Sequence, residues 1–292
     1  MGEIKKAIIL VAGMATKFLP LSKAISKDIL PLADKPVFHY LLEEALASGI
    51  TEVIFVVSPG QKGIILNYFK KSPKLERILK QRKKEKILAD LKETERLGQS
   101  LSFSFVIQKD SLGDGHAVLQ AKKLIGNESC AVFFIDDILI SKTPCLLQLL
   151  QIYKTCKKPV IALKQLPKER LHDYGIVGTE KIASRLYKIK KIIEKPRPEE
   201  APSDLAILGR YIITPEIFQY LKDISPGKNG EIILADALEK TVGDGKIVYG
   251  YEVEGDWLEC GGKKRWMKSN LYFCLKHSEF GPELKKYLKE IL

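Results

Sequence analysis

Short, wholly apolar runs alternate with helical patterns through the first half of the chain. Of all the features of the sequence, this alternation most restricts the possible fold classes. Strands that are buried on both faces read as continuous apolar runs, and helices between such strands favour parallel pairing. Strands are predicted at Ala7–Val11, Glu52–Val57, Ser102–Ile107 and Ala131–Ile135. Helices are predicted at Val37–Ala47, around Gly63–Phe69 and at Gly115–Leu124. The pattern indicates an α/β fold with parallel strands covered on both faces.

The second half keeps its strand content but has fewer helices between the strands. Strands are predicted at Val160–Leu163, Tyr174–Gly178, Tyr187–Ile193, Ala206–Ile213 and Ile247–Val253. Helices are predicted at Pro215–Leu221, Glu231–Thr241, Gly262–His277 and Pro282–Leu292. No internal repeat, proline-rich linker or low-complexity tract marks a boundary, so residues 1–292 are predicted to form a single domain.

The positive charge of the chain raises nucleic acid as a partner, since the formal net charge is +12. The densest basic stretch, residues 70–98, nevertheless mixes both signs and carries a leucine stripe. It predicts one or two solvated amphipathic helices. Aromatic residues do not interleave with the basic ones, as they do on surfaces that bind single strands. We predict no nucleic-acid partner; RNA binding with a steep salt dependence would contradict this.

Cysteine and histidine usage argues against a disulfide framework or a zinc site. The five cysteines include no CxxC pair, and the four histidines lack metal-ligand spacing. A reducing, cytoplasmic setting is therefore predicted. No apolar run approaches the roughly 20 residues of a membrane span, and the run after Lys5 and Lys6 is too short for a signal peptide. We expect no membrane association.

A turn of small residues, Ala12–Thr16, follows the first predicted strand, and Lys17, Lys23 and Lys27 come after it. Backbone amides of such a turn can hold phosphates, and lysines add positive charge to the same site. The acidic pair Asp136–Asp137 follows another buried strand. In open parallel sheets, ligands bind outside the carboxyl ends of the strands. The turn and the acidic pair are therefore expected to face one cleft.

Further motifs follow this turn in order along the chain. The turn fits neither GxGxxG nor GxxxxGK[ST], so alone it is a weak signal. The motifs after it are Leu19–Pro20, Lys27–Pro31, Asp34–Pro36, Gln108, Leu112–Val118, Asp136–Asp137, Tyr174–Val177, Glu194–Pro196, Leu208–Tyr211, Gly230–Ile232 and Trp257–Lys263. The ordered set resembles the nucleotidyltransferases that make NDP-sugars, and within them the bacterial UTP–glucose-1-phosphate uridylyltransferase group. The resemblance spans nearly the whole chain.

The resemblance implies a fold and a reaction. The fold would be a Rossmann-like three-layer sandwich with a mixed, mostly parallel central sheet, the nucleotide-diphospho-sugar transferase fold. Residues 1–140 would form a nucleotide-binding half, 141–260 a sugar-binding half and 261–292 the C-terminal helices. The enzyme would transfer a uridylyl group from UTP to glucose 1-phosphate, with Mg²⁺ as cofactor. A homodimer or homotetramer is expected, with residues 74–97 as a candidate contact.

The resemblance also assigns candidate roles to individual residues. The residues expected to bind the nucleotide are Ala12, Gly13, Met14, Ala15, Gln108 and Gly113. The catalytic residues would be Lys17, Lys27 and Asp136. The residues at the sugar and its phosphate would be Gly175, Glu194 and Lys195, and the metal ligands would be Asp136 and Glu259. Cations stabilise the charge of phosphoryl transfer, and carboxylates suit Mg²⁺, a hard cation.

Several positions depart from the family's signature. Ala15 stands where the family has glycine, and Lys17 stands where it has arginine. The lysine replaces a guanidinium group, which can donate two parallel hydrogen bonds, with an ammonium group that has one localised charge. Asp28 replaces glutamate, and Glu259 replaces an aspartate of related enzymes. The changes at Lys17, Asp28 and Glu259 keep the sign of the charge. This favours a retained activity, because decay of a site would leave the sign unconstrained.

Two other functions fit the same sequence. One is a thymidylyltransferase or another NDP-sugar pyrophosphorylase, because nucleotide choice rests on a few contacts. The other is a protein that binds a UDP-sugar without catalysis, which the altered signature supports. The loop lysines also fit ordinary solvated side chains, and Asp136–Asp137 fits a cap for the following segment. The order of the motifs favours the catalytic interpretation.

Overall fold

The computed structural model describes residues 3–227 and 229–292; residues 1, 2 and 228 of the predicted domain lie outside this description. The strands are β1 (Lys6–Leu10), β2 (Pro31–Leu32), β3 (Lys35–Pro36), β4 (Glu52–Val57), β5 (Ser102–Ile107), β6 (Cys130–Phe134), β7 (Asp137–Ile140), β8 (Val160–Gln165), β9 (Gly175–Ala183), β10 (Leu186–Glu194), β11 (Leu205–Ile213), β12 (Tyr249–Glu252) and β13 (Asp256–Glu259). The helices are α1 (Val37–Ala47), α2 (Gln61–Phe69), α3 (Pro73–Gln81), α4 (Glu85–Ser100), α5 (Asp114–Gln120), α6 (Lys122–Ile125), α7 (Cys145–Cys156), α8 (Pro215–Asp223), α9 (Leu234–Gly243), α10 (Lys263–Lys276) and α11 (Gly281–Ile291). Within the described ranges, none of these helices is long and apolar enough to cross a membrane.

The strands of the central sheet lie side by side in the order β5-β4-β1-β6-β11-β8-β12-β10-β9. Strand β1 lies parallel to β4 on one side and to β6 on the other, with Ala7 opposite both Val53 and Ala131. The pairings show that β10 and β11 are antiparallel to the other strands of the sheet, which all point in one direction. The prediction of a mixed, mostly parallel sheet is confirmed.

Strand β1 is buried on both faces, as its apolar run predicts. Ala7 and Ile9 belong to the core that α1 and α7 cover, whereas Ile8 and Leu10 belong to the core that α5, α8 and α9 cover. Burying a large aliphatic side chain contributes about 1.5–3 kcal/mol. The continuous apolar run therefore holds β1 between two helical layers, which makes the fold a sandwich.

The basic stretch over residues 70–98 forms α3 and α4, which confirms the prediction of amphipathic helices. Pro73 occupies the first turn of α3, where its missing N–H leaves no hydrogen bond unmade. Leu79 and Leu97 are buried, whereas Leu75 and Ile87 are exposed. These two helices cover one edge of the α1 side of the sandwich and present part of their leucine stripe to solvent.

Helix α9 begins later than its sequence pattern predicts. The predicted helix Glu231–Thr241 starts only at Leu234. The preceding segment is extended because Ile232 N donates to Leu112 O at 2.8 Å and Ile232 O accepts from Gly115 N at 2.9 Å. These long-range bonds outweigh the local helical preference. In the same region, the one helix predicted before β6 is divided into α5 and α6.

A small ribbon of β7 and β13 brings two acidic segments together. The strands pair antiparallel, with Asp137 opposite Glu259. The sequence pattern predicts neither strand, since each has only four residues and lacks a clear period of two. The ribbon places the acidic loop after β6 beside the segment that leads into α10.

A buried arginine holds the loop between β6 and β7. Arg210 of β11 is fully buried and pairs with Glu44 of α1 at 3.0 Å. Its other N–H groups donate to the backbone oxygens of Phe134 at 3.1 Å and of Asp137 at 2.7 Å. Arg210 therefore fixes the main chain on both sides of Asp136.

Candidate active site

Two adjoining cavities open at the carboxyl ends of β1 and β6. The first has a volume of about 320 Å³. The six residues predicted to bind the nucleotide all line it: Ala12, Gly13, Met14, Ala15, Gln108 and Gly113. Lys27 and Asp136 line the same cavity. The fold therefore brings the turn after β1, the loop before α5 and the acidic loop to one place.

The second cavity has a volume of about 220 Å³. It collects the remaining residues of the predicted site: Lys17, Gly175, Glu194, Lys195 and Glu259. Asp136 lines both cavities, as do Asp114 and Phe134. A molecule in the first cavity would therefore meet a molecule in the second beside Asp136.

The turn after β1 is held by hydrogen bonds of its carbonyl groups. Ala12 O accepts from Ser58 Oγ at 2.8 Å, and Ala15 O accepts from Phe18 N at 2.9 Å. Ala15 has left-handed backbone geometry, with φ 52° and ψ 41°. That geometry costs a residue with a Cβ about 1–2 kcal/mol. Alanine is thus strained at the position where the family signature has glycine, but the turn keeps a left-handed shape.

Lys27 and Asp136 form an ion pair in the first cavity. Lys27 Nζ donates to both carboxylate oxygens of Asp136, at 2.6 and 2.7 Å. The neighbouring Asp28 is buried and is bonded by Ser26 and Gln61, and its burial raises the pKa of Asp28. These bonds hold the short turn that carries Lys27. The Lys27 amine therefore lies in the first cavity against the carboxylate that lines both cavities.

Gln108 and Gly113 shape the far wall of the first cavity. Gln108 is buried, and its Nε2 lies 3.2 Å from Gly113 O and 2.9 Å from His116 Nδ1. Gly113 has φ 99°, and a Cβ there would collide with the backbone of Ile232. Only glycine combines this conformation with such a close approach. The amide of Gln108 and the backbone of Gly113 are thus set in fixed positions.

Asp137 differs from its neighbour Asp136 in its partners: residues of β13 and β11 bind its two oxygens, whereas the Lys27 side chain binds those of Asp136. Trp257 Nε1 donates to one oxygen at 2.7 Å, and Gly209 N donates to the other at 3.0 Å. Burial raises the pKa of Asp137 to about 6. Asp137 therefore braces the ribbon of β7 and β13, and Asp136 is the member of the pair that reaches both cavities.

Gly175, Glu194 and Lys195 form one wall of the second cavity. Gly175 pairs with Glu194 across β9 and β10, and a Cβ on Gly175 would lie 3.0 Å from Glu194 Oε2. Lys195 Nζ donates to Glu194 Oε1 at 2.8 Å. Burial opposes the charge of this lysine, but the hydrogen bond to Glu194 raises the pKa of Lys195. The wall thus presents a carboxylate and a charged amine side by side.

Glu259 lies at the second cavity, with its carboxylate held by basic and phenolic groups. Arg170 and the Tyr174 hydroxyl donate to its two oxygens, and Arg265 Nη1 lies 3.1 Å from Oε1. Asp136 lines the same cavity. The role of Glu259 as a metal ligand stays a prediction.

Asp114 is a site residue that the sequence reasoning missed. It opens α5 between two glycines, lines both cavities, and accepts a hydrogen bond from Leu234 N at 2.7 Å. Burial raises the pKa of Asp114 to about 7. Its signal in the sequence is an acidic residue between Gly113 and Gly115, at the start of a predicted helix.

The residues present fit a divalent cation that substrate phosphates help to hold. Among residues 3–227 and 229–292, no group of three or more His, Cys, Asp or Glu side chains has the arrangement of a metal site. Mg²⁺ is usually bound by one or two carboxylates together with phosphates and water. Asp136 meets this requirement, since its partly exposed carboxylate lies on the wall that both cavities share.

The pKa of Asp114 predicts how stability depends on pH. The Asp114 carboxyl has a pKa near 7 in the folded protein and about 3.9 in the unfolded chain. It therefore stays protonated up to a higher pH in the folded protein. The free energy of unfolding should therefore fall as pH rises between these values, by at most about 1.4 kcal/mol per pH unit. Asp114→Asn should flatten this fall in urea unfolding measured from pH 4.5 to 8. Parallel curves for the variant and the parent would contradict the prediction.

Comparison with known proteins decides the family. The family model described as "Nucleotidyl transferase" matches residues 6–273. The chain belongs to the nucleotidyl transferase family. The UTP–glucose-1-phosphate uridylyltransferase of Staphylococcus haemolyticus is 39% identical to this nucleotidyltransferase over 291 residues, covering 100% of the chain and 99% of the relative. Uridylyltransferase 1 of Staphylococcus saprophyticus is 39% identical over 289 residues, 99% of each chain.

Solved structures agree with this assignment. A UDP-glucose pyrophosphorylase from Acinetobacter baumannii superposes with a TM-score of 0.88 at 32% identity, covering 99% of this chain and all of the other. A UDP-glucose pyrophosphorylase in complex with UDP-glucose superposes with a TM-score of 0.85 at 34% identity, covering 94% of this chain and all of the other. The predicted resemblance and the predicted class of enzyme, a nucleotidyltransferase, are thereby confirmed.

Proposed function

We propose that this nucleotidyltransferase transfers a uridylyl group from UTP to glucose 1-phosphate and releases pyrophosphate. One observation carries the proposal: Asp136 lies on the wall between a cavity lined by the turn after β1 and a cavity lined by Glu194 and Lys195. Two phosphorylated substrates, one in each cavity, would place their phosphates together beside Asp136. The names of the curated relatives support UTP and glucose 1-phosphate as this pair of substrates.

The reaction is a displacement at the α-phosphorus of UTP. A phosphate oxygen of glucose 1-phosphate forms the new P–O bond, and the bond from the α-phosphorus to the bridging oxygen breaks with its electron pair on pyrophosphate. Such transfer depends mainly on positioning and on stabilising the negative charge of the transition state. We assign Lys27 to the α-phosphate and Lys17 to the leaving phosphates, as the family resemblance implies. Lys27 lines the first cavity and Lys17 the second, and Asp136 lines both.

The remaining residues bind and orient the substrates. Gln108 and Gly113 would bind the uracil, and the amides of the turn Ala12–Ala15 would hold the rest of the nucleotide. Glu194 would accept hydrogen bonds from glucose hydroxyls, while Lys195 would pair with the sugar phosphate. A Mg²⁺ ion bound at Asp136 would neutralise charge on the phosphate oxygens.

The wider setting of the enzyme belongs to the same proposal. Residues 1–140 are proposed as the nucleotide-binding half and 141–260 as the sugar-binding half of one domain. The cysteines of the described residues are free thiols, which supports a reducing cytoplasm. Leu75 and Ile87, exposed on α3 and α4, support a contact between subunits of a homodimer or homotetramer.

Pyrophosphate release tests the proposed function directly. With UTP, glucose 1-phosphate and Mg²⁺, we expect turnover on the order of 1–1,000 per second, the usual range for enzymes. The value of kcat/KM should be higher with UTP than with dTTP, CTP or GTP. A preference for dTTP would indicate the thymidylyltransferase alternative. Turnover no higher than that of a Lys27→Ala variant with any of these nucleotides would reject catalysis, and tight UDP-glucose binding without turnover would favour a binding protein.

A further inference from the structure

Glu259 belongs to a cluster of charged residues that is complete without a metal. Its side chain is only 12% exposed, and its oxygens are engaged by Arg170, Tyr174 and Arg265. Arg265 also pairs with Asp173. We call these five residues the arginine clasp. Two guanidinium groups and two carboxylates give the clasp no net charge, so the Glu259 carboxylate is neutralised by the protein itself.

The clasp joins segments that are distant in sequence across the second cavity. Arg170, Asp173 and Tyr174 lie on the segment before β9, whereas Glu259 ends β13 and Arg265 lies in α10. The two guanidinium groups lie over the Tyr174 ring, at 5.6 and 5.3 Å from its centroid. Stacked guanidinium groups and charge-assisted hydrogen bonds are stronger than neutral contacts. Both arginines therefore contact the Tyr174 ring, and Glu259 holds its hydroxyl group.

Fixing Tyr174 also fixes the wall that carries the predicted sugar-binding residues. Tyr174 O accepts a hydrogen bond from Lys195 N at 3.0 Å, and the following residue, Gly175, pairs with Glu194. Lys195 itself has left-handed backbone geometry with φ 47°, which a residue with a side chain adopts only when its surroundings impose it. The clasp thus acts on Glu194 and Lys195 through the main chain of Tyr174.

We propose that Glu259 is a positioning residue: it anchors the arginine clasp, which sets the glucose 1-phosphate wall, and it does not hold the divalent cation. The identity of the sugar phosphate rests on the function proposed above. The contacts of Glu259 favour this role, because a metal would have to displace Arg170, Tyr174 and Arg265 from a carboxylate that is only 12% exposed. The Asp136 carboxylate is 37% exposed and is bound by one flexible amine, that of Lys27. The cation site then depends on Asp136 and the substrate phosphates.

The variant Glu259→Gln separates the two roles. We expect the KM for glucose 1-phosphate to rise about tenfold, as expected for losing hydrogen bonds to a charged group, while the KM for UTP changes less than about twofold. The affinity for Mn²⁺, measured by calorimetry with UTP present, should stay unchanged. Arg265→Gln should reproduce these effects, and the double variant should be no worse than either single variant. Glu259→Asp, which keeps the charge, should restore part of the affinity.

Arg185→Gln is the matched control, because Arg185 also pairs with a glutamate, Glu254, but lines neither cavity. It should leave both KM values unchanged. Weaker Mn²⁺ binding by Glu259→Gln with an unchanged KM for glucose 1-phosphate would overturn the proposal in favour of a metal ligand. Equal rises in both KM values, or additive effects in the double variant, would overturn it in favour of a general loss of structure.

Fluorescence tests the clasp even if the enzyme shows no turnover. The Trp257 ring packs on Tyr174 with centroids 5.0 Å apart. In a Trp266→Phe background, Trp257 is the remaining tryptophan. Glu259→Gln should shift its emission to the red as Tyr174 is released, whereas Arg185→Gln should not. If the parent enzyme shows no turnover but the variant shows this red shift, the proposed function is rejected and the role of Glu259 in the clasp is supported. If the emission is unchanged, the clasp is rejected.

Discussion

Replacing Asp136 with asparagine is expected to lower kcat by about a hundred- to a thousandfold at saturating substrates, as for other groups that stabilise a transition state. Asparagine keeps the size of the side chain but removes the negative charge. Asp136 lines both cavities, and its carboxylate binds Lys27. The neutral amide would weaken the cation site and would leave the Lys27 amine without its carboxylate partner. Steady-state pyrophosphate release measures the loss.

Two further measurements show whether the charge of Asp136 acts at the chemical step. Mn²⁺ affinity in the presence of UTP should fall with Asp136→Asn, and the double variant with Lys27→Met should lose less than the product of the single losses. Asp256→Asn is the control, because Asp256 is exposed on β13 and lines neither cavity. A variant with unchanged kcat and Mn²⁺ affinity would place the essential carboxylate elsewhere in the cleft.

The parallel part of the sheet and the first cavity follow from local sequence patterns. Strands β1 and β6 are continuous apolar runs, and in such sheets ligands bind at the carboxyl ends of the strands. The turn Ala12–Thr16 and the acidic residue Asp136 come directly after these two strands. Their positions along the chain therefore predict that they meet. The family signature has glycine at the position of Ala15, and Ala15 has the left-handed geometry that glycine adopts without strain.

Side-chain partners from distant segments are not visible in local patterns. Glu259 is bound by Arg170, which lies 89 positions earlier, and nothing in the sequence around either residue predicts the pair. Asp114 likewise accepts its hydrogen bond from Leu234, 120 positions later. The first contact depends on how the segment before β9 meets β13, and the second depends on how α5 meets α9. The sequence thus predicts that a charge lies near the cleft, and the fold decides which partner it faces.

Arg210→Met is expected to lower the free energy of unfolding by about 3–5 kcal/mol, the usual cost of leaving one charge of a buried pair without its partner. Glu44 would remain in the core, where its side chain is 10% exposed beside the fully buried Arg210. The backbone oxygens of Phe134 and Asp137 would also lose their donor. Urea unfolding followed by circular dichroism measures the change. The substitution should lower kcat too, since Arg210 holds the loop that carries Asp136.

The cost should come from the unpaired Glu44 carboxylate and not from the loss of packing at Arg210. A double variant, Glu44→Gln with Arg210→Met, should therefore recover most of the stability, because it removes the unpaired charge and keeps an oxygen that accepts from Leu146 N. Its kcat should stay low, because methionine donates no hydrogen bond to the loop. Lys190→Met removes one partner of the exposed pair with Glu180 and should cost about 0–1 kcal/mol. A double variant as unstable as Arg210→Met would show that the backbone bonds of Arg210, and not its charge, stabilise the fold.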